Sequence, residues 1–201
     1  MVPVSSHTGQ FCTNPGLIIL QKGDRTEQFI ENLAETFESN RPGILLSPTG
    51  PDAILDAVQI LTSAGAILIA GGKKVEAEGY MFANTLLRVD GKTFINNPED
   101  LQTEAFGTAS LIVVADDIRQ MKEIASVVEG NLTGCIYSHT QGKDDKAYTI
   151  LEPELRTKVG RLLNDKVPTG VAVVSSMNHG GPYPATGHPG FTAVGLPASM
   201  L

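Results

Sequence analysis

Short, uninterrupted apolar segments alternate with segments of helical periodicity, and this alternation most constrains the fold. The clearest apolar segment is 110–115, which reads Ser-Leu-Ile-Val-Val-Ala, and four others resemble it: 16–20, 66–70, 133–137 and 170–174. Strands without polar alternation are buried on both faces, which is typical of parallel sheets covered by helices. The sequence therefore predicts an α/β fold of three layers, with a mostly parallel sheet, helices on both faces and right-handed crossovers.

The helical segments carry recognisable terminal signals. Asp24 suits a helix N-cap, with Glu27 three residues later as in a capping box, and the helix would end near Asn40. Pro51 suits the start of a second helix, and Asp116 the cap of a third. Residues 147–163 are predicted to form a further helix, and the pair at 90–91 (Asp-Gly) to form a turn.

Composition excludes several classes of function. The chain has 201 residues, enough for one large domain or two small ones, and a net charge of −7. It has no basic stripe for nucleic acid, no apolar run long enough to span a bilayer and no signal peptide, so we expect a cytoplasmic protein without nucleic-acid or membrane partners. No Cys/His cluster has metal-ligand spacing, so no metal is expected.

Cys12 is the best candidate nucleophile. A thiolate is a strong nucleophile, and Cys12 lies in a small, polar, turn-forming segment directly before an apolar strand. Such a loop exposes a side chain to substrate better than a strand does. From the residues alone, Cys12 could equally be a loop cysteine without a catalytic role. Cys135 lies inside an apolar segment and is expected to be a small buried hydrophobe, with both thiols free.

Two motifs connect the chain to a known family. Residues 9–13 (Gly-Gln-Phe-Cys-Thr) resemble the active-site cysteine motif of aldehyde dehydrogenases, and 104–107 (Glu-Ala-Phe-Gly) resemble that family's Glu-x-Phe-Gly motif. Residues 14–17 and 179–186 resemble the branch that oxidises 2-oxoglutarate semialdehyde (2,5-dioxopentanoate). The resemblance covers essentially the whole chain, and it implies one catalytic domain over residues 1–201.

The resemblance also implies site residues. The Cys12 thiolate would attack the aldehyde carbonyl, with its own backbone N–H stabilising the oxyanion, and hydride would pass to NADP or NAD before water hydrolyses the thioester. Glu104 would bind the ribose beside the nicotinamide, and Phe106 would lie by that ring. The candidate substrate neighbours form a third group: Phe11, Thr13 and His179.

The sequence departs from the family in what precedes the cysteine. Only eleven residues come before Cys12, and no Gly-x-Gly-x-x-Gly fingerprint is present. We therefore expect a fragment that lacks the dinucleotide-binding domain and the oligomerisation segment, binds cofactor weakly or not at all, and is inactive in oxidation. Its expected partners are a small aldehyde, that missing domain of the same polypeptide, and possible further copies of itself.

Two other functions stay open at this point. The chain could be a non-catalytic association module with an exposed strand edge. It could also be a cysteine-dependent thioester or ester hydrolase, which would need a histidine beside Cys12. His7 is close in sequence but has no fixed geometry, His139 is expected to be exposed, and His188 lies in the Gly/Pro-rich loop with His179.

Overall fold

The computed structural model describes residues 8–169, 171–192 and 194–200. The chain divides into two compact units, Met1–Ile124 and Ala125–Leu201. The α4 helix (Ile118–Val127) includes the division between them.

The first unit is built on a four-stranded sheet. Its strands are β1 Leu17–Gln21, β2 Ile67–Ala70, β5 Thr85–Asp90 and β6 Ala109–Ala115, and a separate hairpin contains β3 Lys74–Val75 and β4 Met81–Phe82. The spatial order of the sheet is β1-β6-β5-β2. The β6 strand pairs in parallel with β1 and β5, whereas β2 is antiparallel to β5. The predicted mostly parallel α/β sheet is therefore confirmed.

Every residue of β6 is buried, because strands flank it and helices pack on the sheet. The helices are α1 Thr26–Ser39, α2 Gly50–Ser63 and α3 Gly91–Asn96. Apolar residues of α1 pack on one face of β2, β5 and β6 in a core cluster: Ile30, Leu33, Phe37, Ala70, Leu86, Ile112 and Val114. The intervening residues point to the opposite face and are buried as well, and α3 contacts β5 and β6.

The second unit contains a two-stranded parallel sheet. It is formed by β7 Asn131–Ile136 and β8 Val159–Asn164, and α5 Asp145–Arg156 connects the strands and contacts both. The unit ends in a long irregular segment with a 3₁₀ turn at Pro189–Phe191 and the short helix α6 Leu196–Ser199.

Two predicted elements in this unit were wrong. The helix predicted over 147–163 ends at Arg156, and its last third is β8, because pairing with β7 outweighs the local helical periodicity. The strand predicted over 170–174 is not formed by the described residues 171–174, and Val173 and Val174 are exposed. The sheet partner of β7 is thus the earlier segment.

Two predicted helix caps and one predicted turn were also wrong. Asp24 does not cap α1; instead the Thr26 hydroxyl accepts from Gly23 N at 2.9 Å and donates to the Gln21 carbonyl at 3.1 Å. Asp117, not Asp116, accepts from the first amides of α4. Asp90 does not start a turn but caps α3 by accepting from Thr93 N, which holds the pKa of Asp90 below its ordinary value. Asp suits both roles, so sequence could not separate them.

Candidate active site

The loop with Cys12 and the loop at 104–107 lie at the same edge of the first unit's sheet. The Cys12 loop leads into β1, and the 104–107 loop leads into β6. These strands are parallel neighbours in which Leu17 is opposite Leu111. Because parallel strands begin at the same edge, the two motifs are brought together although more than ninety residues separate them.

Side-chain amides join the two loops directly. Gln10 Nε2 donates to the Phe106 carbonyl at 3.4 Å, and Asn14 Nδ2 donates to the Gly107 carbonyl at 3.2 Å. Further along, Ser110 Oγ donates to the Pro15 carbonyl at 2.8 Å. One amide on each side of Cys12 therefore holds its loop against the second motif.

Gly9 and Gly107 allow the loops to touch. Gly9 has a φ of +68°, a conformation that favours glycine, and a Cβ at this position would collide with the carbonyl oxygen of Gly107. Gly9, Gln10 and Asn14 belong to the sequence motifs, but the motifs do not predict these contacts. Their contacts are between distant segments, which local periodicity does not report, so only the motif itself could have drawn attention to them.

Cys12 lies in a tight turn and is exposed. The backbone N–H of Asn14 closes this turn by donating to the Phe11 carbonyl at 3.0 Å. Phe11 is exposed as well, whereas Thr13 is buried, and the turn thus directs one side chain inward and leaves the thiol accessible.

Glu104 and Phe106 are also exposed, on the loop that Gln10 and Asn14 bind. The predicted roles of Phe11, Thr13, Glu104 and Phe106 toward substrate and cofactor stay predictions.

Several exposed apolar side chains, called here the apolar patch, lie on the Cys12 loop and on the segments bonded to it. Gln10 Oε1 accepts from Leu46 N at 2.8 Å, and Leu45 N donates to the Tyr80 carbonyl at 2.7 Å, which links three segments of the first unit. The patch consists of the exposed large side chains on these segments: Phe11, Ile44, Leu46, Tyr80 and Phe106. Several large exposed apolar side chains on segments that are bonded to one another are typical of a surface that binds a partner or ligand.

The remaining sequence candidates lie elsewhere. His179 belongs to the second unit, where it is buried and near Arg161; burial and then the Arg161 charge lower its pKa. Its predicted role beside substrate stays a prediction. His7 lies outside the described residues. Cys135 is half-buried rather than buried, and its thiol donates to the Lys166 carbonyl at 2.8 Å.

Two other kinds of feature, a metal-binding cluster and a membrane-spanning helix, are absent from the described residues. These residues contain no group of three or more His, Cys, Asp or Glu side chains that could hold a metal ion. Among the helices that the structure describes, none combines the length and the apolar character needed to cross a bilayer.

Comparison with known proteins gives consistent matches. A model of the aldehyde dehydrogenase family matches residues 3–152. The chain is 34% identical to alpha-ketoglutaric semialdehyde dehydrogenase 2 of Azospirillum brasilense, and 32% identical to alpha-ketoglutaric semialdehyde dehydrogenase of Acinetobacter baylyi; each match covers 94% of this chain.

Solved structures match the fold at lower identity. PnpE from Pseudomonas sp. WBC-3 is 20% identical with a TM-score of 0.70, covering 89% of this chain and 37% of that one. The NAD+ complex of aldehyde dehydrogenase from Bacillus cereus is 16% identical with a TM-score of 0.70, covering 89% and 35%. The chain spans 36% of the length of the two curated relatives, so about a third of each is matched.

Proposed function

The chain belongs to the aldehyde dehydrogenase family, and we propose that it is the catalytic lobe of an NAD(P)-dependent enzyme that oxidises a semialdehyde through Cys12. The observation that carries the proposal is the pair of bonds from Gln10 and Asn14 to the backbone of the 104–107 loop. These bonds place an exposed thiol and a second motif at one edge of the sheet.

Cys12 performs the covalent chemistry. Its thiolate attacks the aldehyde carbon, and the backbone N–H of Cys12 stabilises the oxyanion that forms. Loss of hydride from that carbon leaves a thioester. Water then attacks the thioester carbonyl, the carbon–sulfur bond breaks, and the carboxylic acid leaves as the Cys12 thiolate is regenerated. The tight turn supports this role because it fixes the thiol position while leaving it accessible.

Glu104 and Phe106 fit one end of a nicotinamide dinucleotide. Both side chains are exposed, and their backbone is fixed by the Cys12 loop. The Glu104 carboxylate would accept from ribose hydroxyls, and the Phe106 ring would pack beside the nicotinamide. When bound, the dinucleotide supplies the hydride acceptor. NAD and NADP are both compatible with these two residues.

The proposed substrate is 2,5-dioxopentanoate, with 2-oxoglutarate as product. This finer assignment is supported by the names of the two curated relatives and by the resemblance of residues 179–186 to that branch. Phe11, Thr13 and His179 are the proposed substrate neighbours.

The proposed partner of the apolar patch is a dinucleotide-binding portion like that of a full-length relative. The relatives are nearly three times as long as the matched region, so they contain further segments that could cover Phe11, Leu46 and Phe106. Without that portion, the chain would retain the nucleophile but lack most of the cofactor site.

The covalent step can be tested without the cofactor. The chain is incubated with 4-nitrophenyl acetate, the nitrophenolate released is measured, and the acylated residue is located by peptide mass spectrometry. We expect one acyl group on Cys12, and we expect Cys12→Ser to lower acyl transfer by at least about a hundredfold because the nucleophile is removed.

Cys135 provides the matched control. It is a second free thiol that donates to a backbone carbonyl in the other unit, so Cys135→Ser should leave the acylation unchanged. Equal labelling of both cysteines, or acylation that survives in Cys12→Ser, would contradict the proposed nucleophile.

A further inference from the structure

We propose that Arg161 and His179 in the second unit form a binding site for a carboxylate. Arg161 lies on β8 opposite Thr133 of β7, and its Nη2 donates to the Thr133 hydroxyl at 3.2 Å. Its Nε atom is buried and has no hydrogen-bond partner. Arg161 therefore has a fixed position and an unused buried donor.

Arg161 also has no acidic partner within the part of the chain that the structure describes. The acidic side chains Asp116, Asp52, Glu27 and Glu152 pair with other basic residues. A guanidinium is always charged in proteins, and a buried donor without an acceptor is costly. An oxyanion on the Nε side would satisfy both the charge and the donor.

His179 completes the site on the loop that packs against β8. Gly160, next to Arg161, approaches this loop so closely that a Cβ would collide with the Gly180 carbonyl. His179 itself is only 8% exposed, and burial together with the Arg161 charge lowers its pKa. The imidazole is therefore neutral at neutral pH, and the pair carries one positive charge.

The ligand class follows from this charge and from the geometry of arginine. The Nε–H and a neighbouring Nη–H form a planar fork that matches the two oxygens of a carboxylate. One positive charge is balanced by a carboxylate monoanion. The carboxylate can come from a free small acid or from a Glu or Asp side chain of another polypeptide segment. The site lies within the second unit, and its existence does not depend on Cys12 chemistry.

The test is an NMR titration of the ¹⁵N-labelled 201-residue chain with sodium acetate, with sodium chloride at equal ionic strength as the reference. The Arg161 Nε–H resonance is assigned by its loss in Arg161→Lys. We expect acetate to shift this resonance and the His179 ring protons in a saturable manner. If acetate causes no shift, or if chloride causes the same shift, the proposal is overturned. This result needs only the unaltered chain.

Two variants test whether Arg161 binds the carboxylate, and a second probe distinguishes the two sources of the carboxylate. Arg161→Lys keeps the charge but loses the fork, so acetate affinity should fall about tenfold or more. Arg156→Lys, at an exposed arginine paired with Glu152, should leave it unchanged. Affinity that is equal in wild type and Arg161→Lys contradicts the site. N-acetylglutamate α-amide, which mimics a side chain, binds more tightly than acetate if the natural ligand is a protein carboxylate, and acetate binds at least as tightly if it is a free acid.

Discussion

Gly9 shows how one residue controls the geometry around the candidate nucleophile. It lies three residues before Cys12, its backbone is left-handed, and it touches the Gly107 backbone of the second motif. A side chain here would meet backbone atoms, which cannot rotate away as a flexible side chain can. The separation of the two loops is therefore set by the absence of a Cβ.

Gly9→Ala should destabilise the first unit and loosen the Cys12 turn. The left-handed conformation costs an alanine about 1–2 kcal/mol, and the collision with Gly107 adds to this cost. We expect the free energy of unfolding in urea to fall by about 2 kcal/mol or more. We also expect the alkylation rate of Cys12 by iodoacetamide to change, because the turn that presents the thiol moves.

Gly23→Ala is the matched control for this change. Gly23 precedes α1 in the same unit, and a Cβ at that position meets nothing within 4 Å. Its stability should stay within about 0.5 kcal/mol of the wild type. If Gly9→Ala and Gly23→Ala behaved alike in both measurements, close approach of the two loops would not be required.

An ion pair between Arg88 and Glu27 joins α1 to the sheet. Arg88 of β5 donates through both Nη atoms to the two carboxylate oxygens of Glu27 on α1, each at 2.7 Å. This hydrogen bonding lowers the pKa of Glu27 from its ordinary value of 4.5. Since the folded pKa is below the unfolded one, the contribution to stability is present above the unfolded pKa and is lost as the pH falls through the folded pKa.

Glu27→Gln should therefore destabilise the chain at pH 7 but not in strong acid. We expect the difference in urea midpoint between wild type and Glu27→Gln to shrink as the pH falls below the ordinary carboxyl pKa of 4.5. Glu31→Gln is the control, because Glu31 is an exposed carboxylate on the same helix. A Glu27→Gln difference that is independent of pH would contradict the ion pair.

The elements also show what the sequence could and could not predict. Buried strands such as β6 were predictable because a short, continuous apolar run between helical segments is typical of a strand that is buried on both faces. The β8 strand was not, since Leu162 and Leu163 continue a helical periodicity and only the pairing with β7 decides their conformation. The predicted roles of Cys12 and Glu104 rest on motif resemblance and stay predictions. The bonds from Gln10 and Asn14 depend on the parallel pairing of β1 with β6, which no local pattern reports.

The whole chain contains more of the structure that would position Cys12 than of the structure that would bind a cofactor. Cys12, its turn and the 104–107 loop all lie in the first unit, where contacts between that unit's own residues hold the two loops together. The residues proposed to meet the dinucleotide, in contrast, are two exposed side chains on one loop. Binding energy for a cofactor of this size requires a concave site with many contacts, which two exposed side chains do not provide.

The 201-residue chain alone should therefore form acyl-Cys12 with 4-nitrophenyl acetate but produce no NADH or NADPH when it is mixed with 2,5-dioxopentanoate and NAD or NADP. A chimera in which this chain replaces the matching third of the Azospirillum brasilense relative should regain oxidation, because the rest of that protein would supply further cofactor contacts. The measurement is absorbance of reduced nicotinamide with NAD and with NADP. In the chimera, Cys12→Ser should abolish the signal while Cys135→Ser retains it. Robust oxidation by the isolated chain would show that Glu104, Phe106 and their surroundings bind the cofactor unaided.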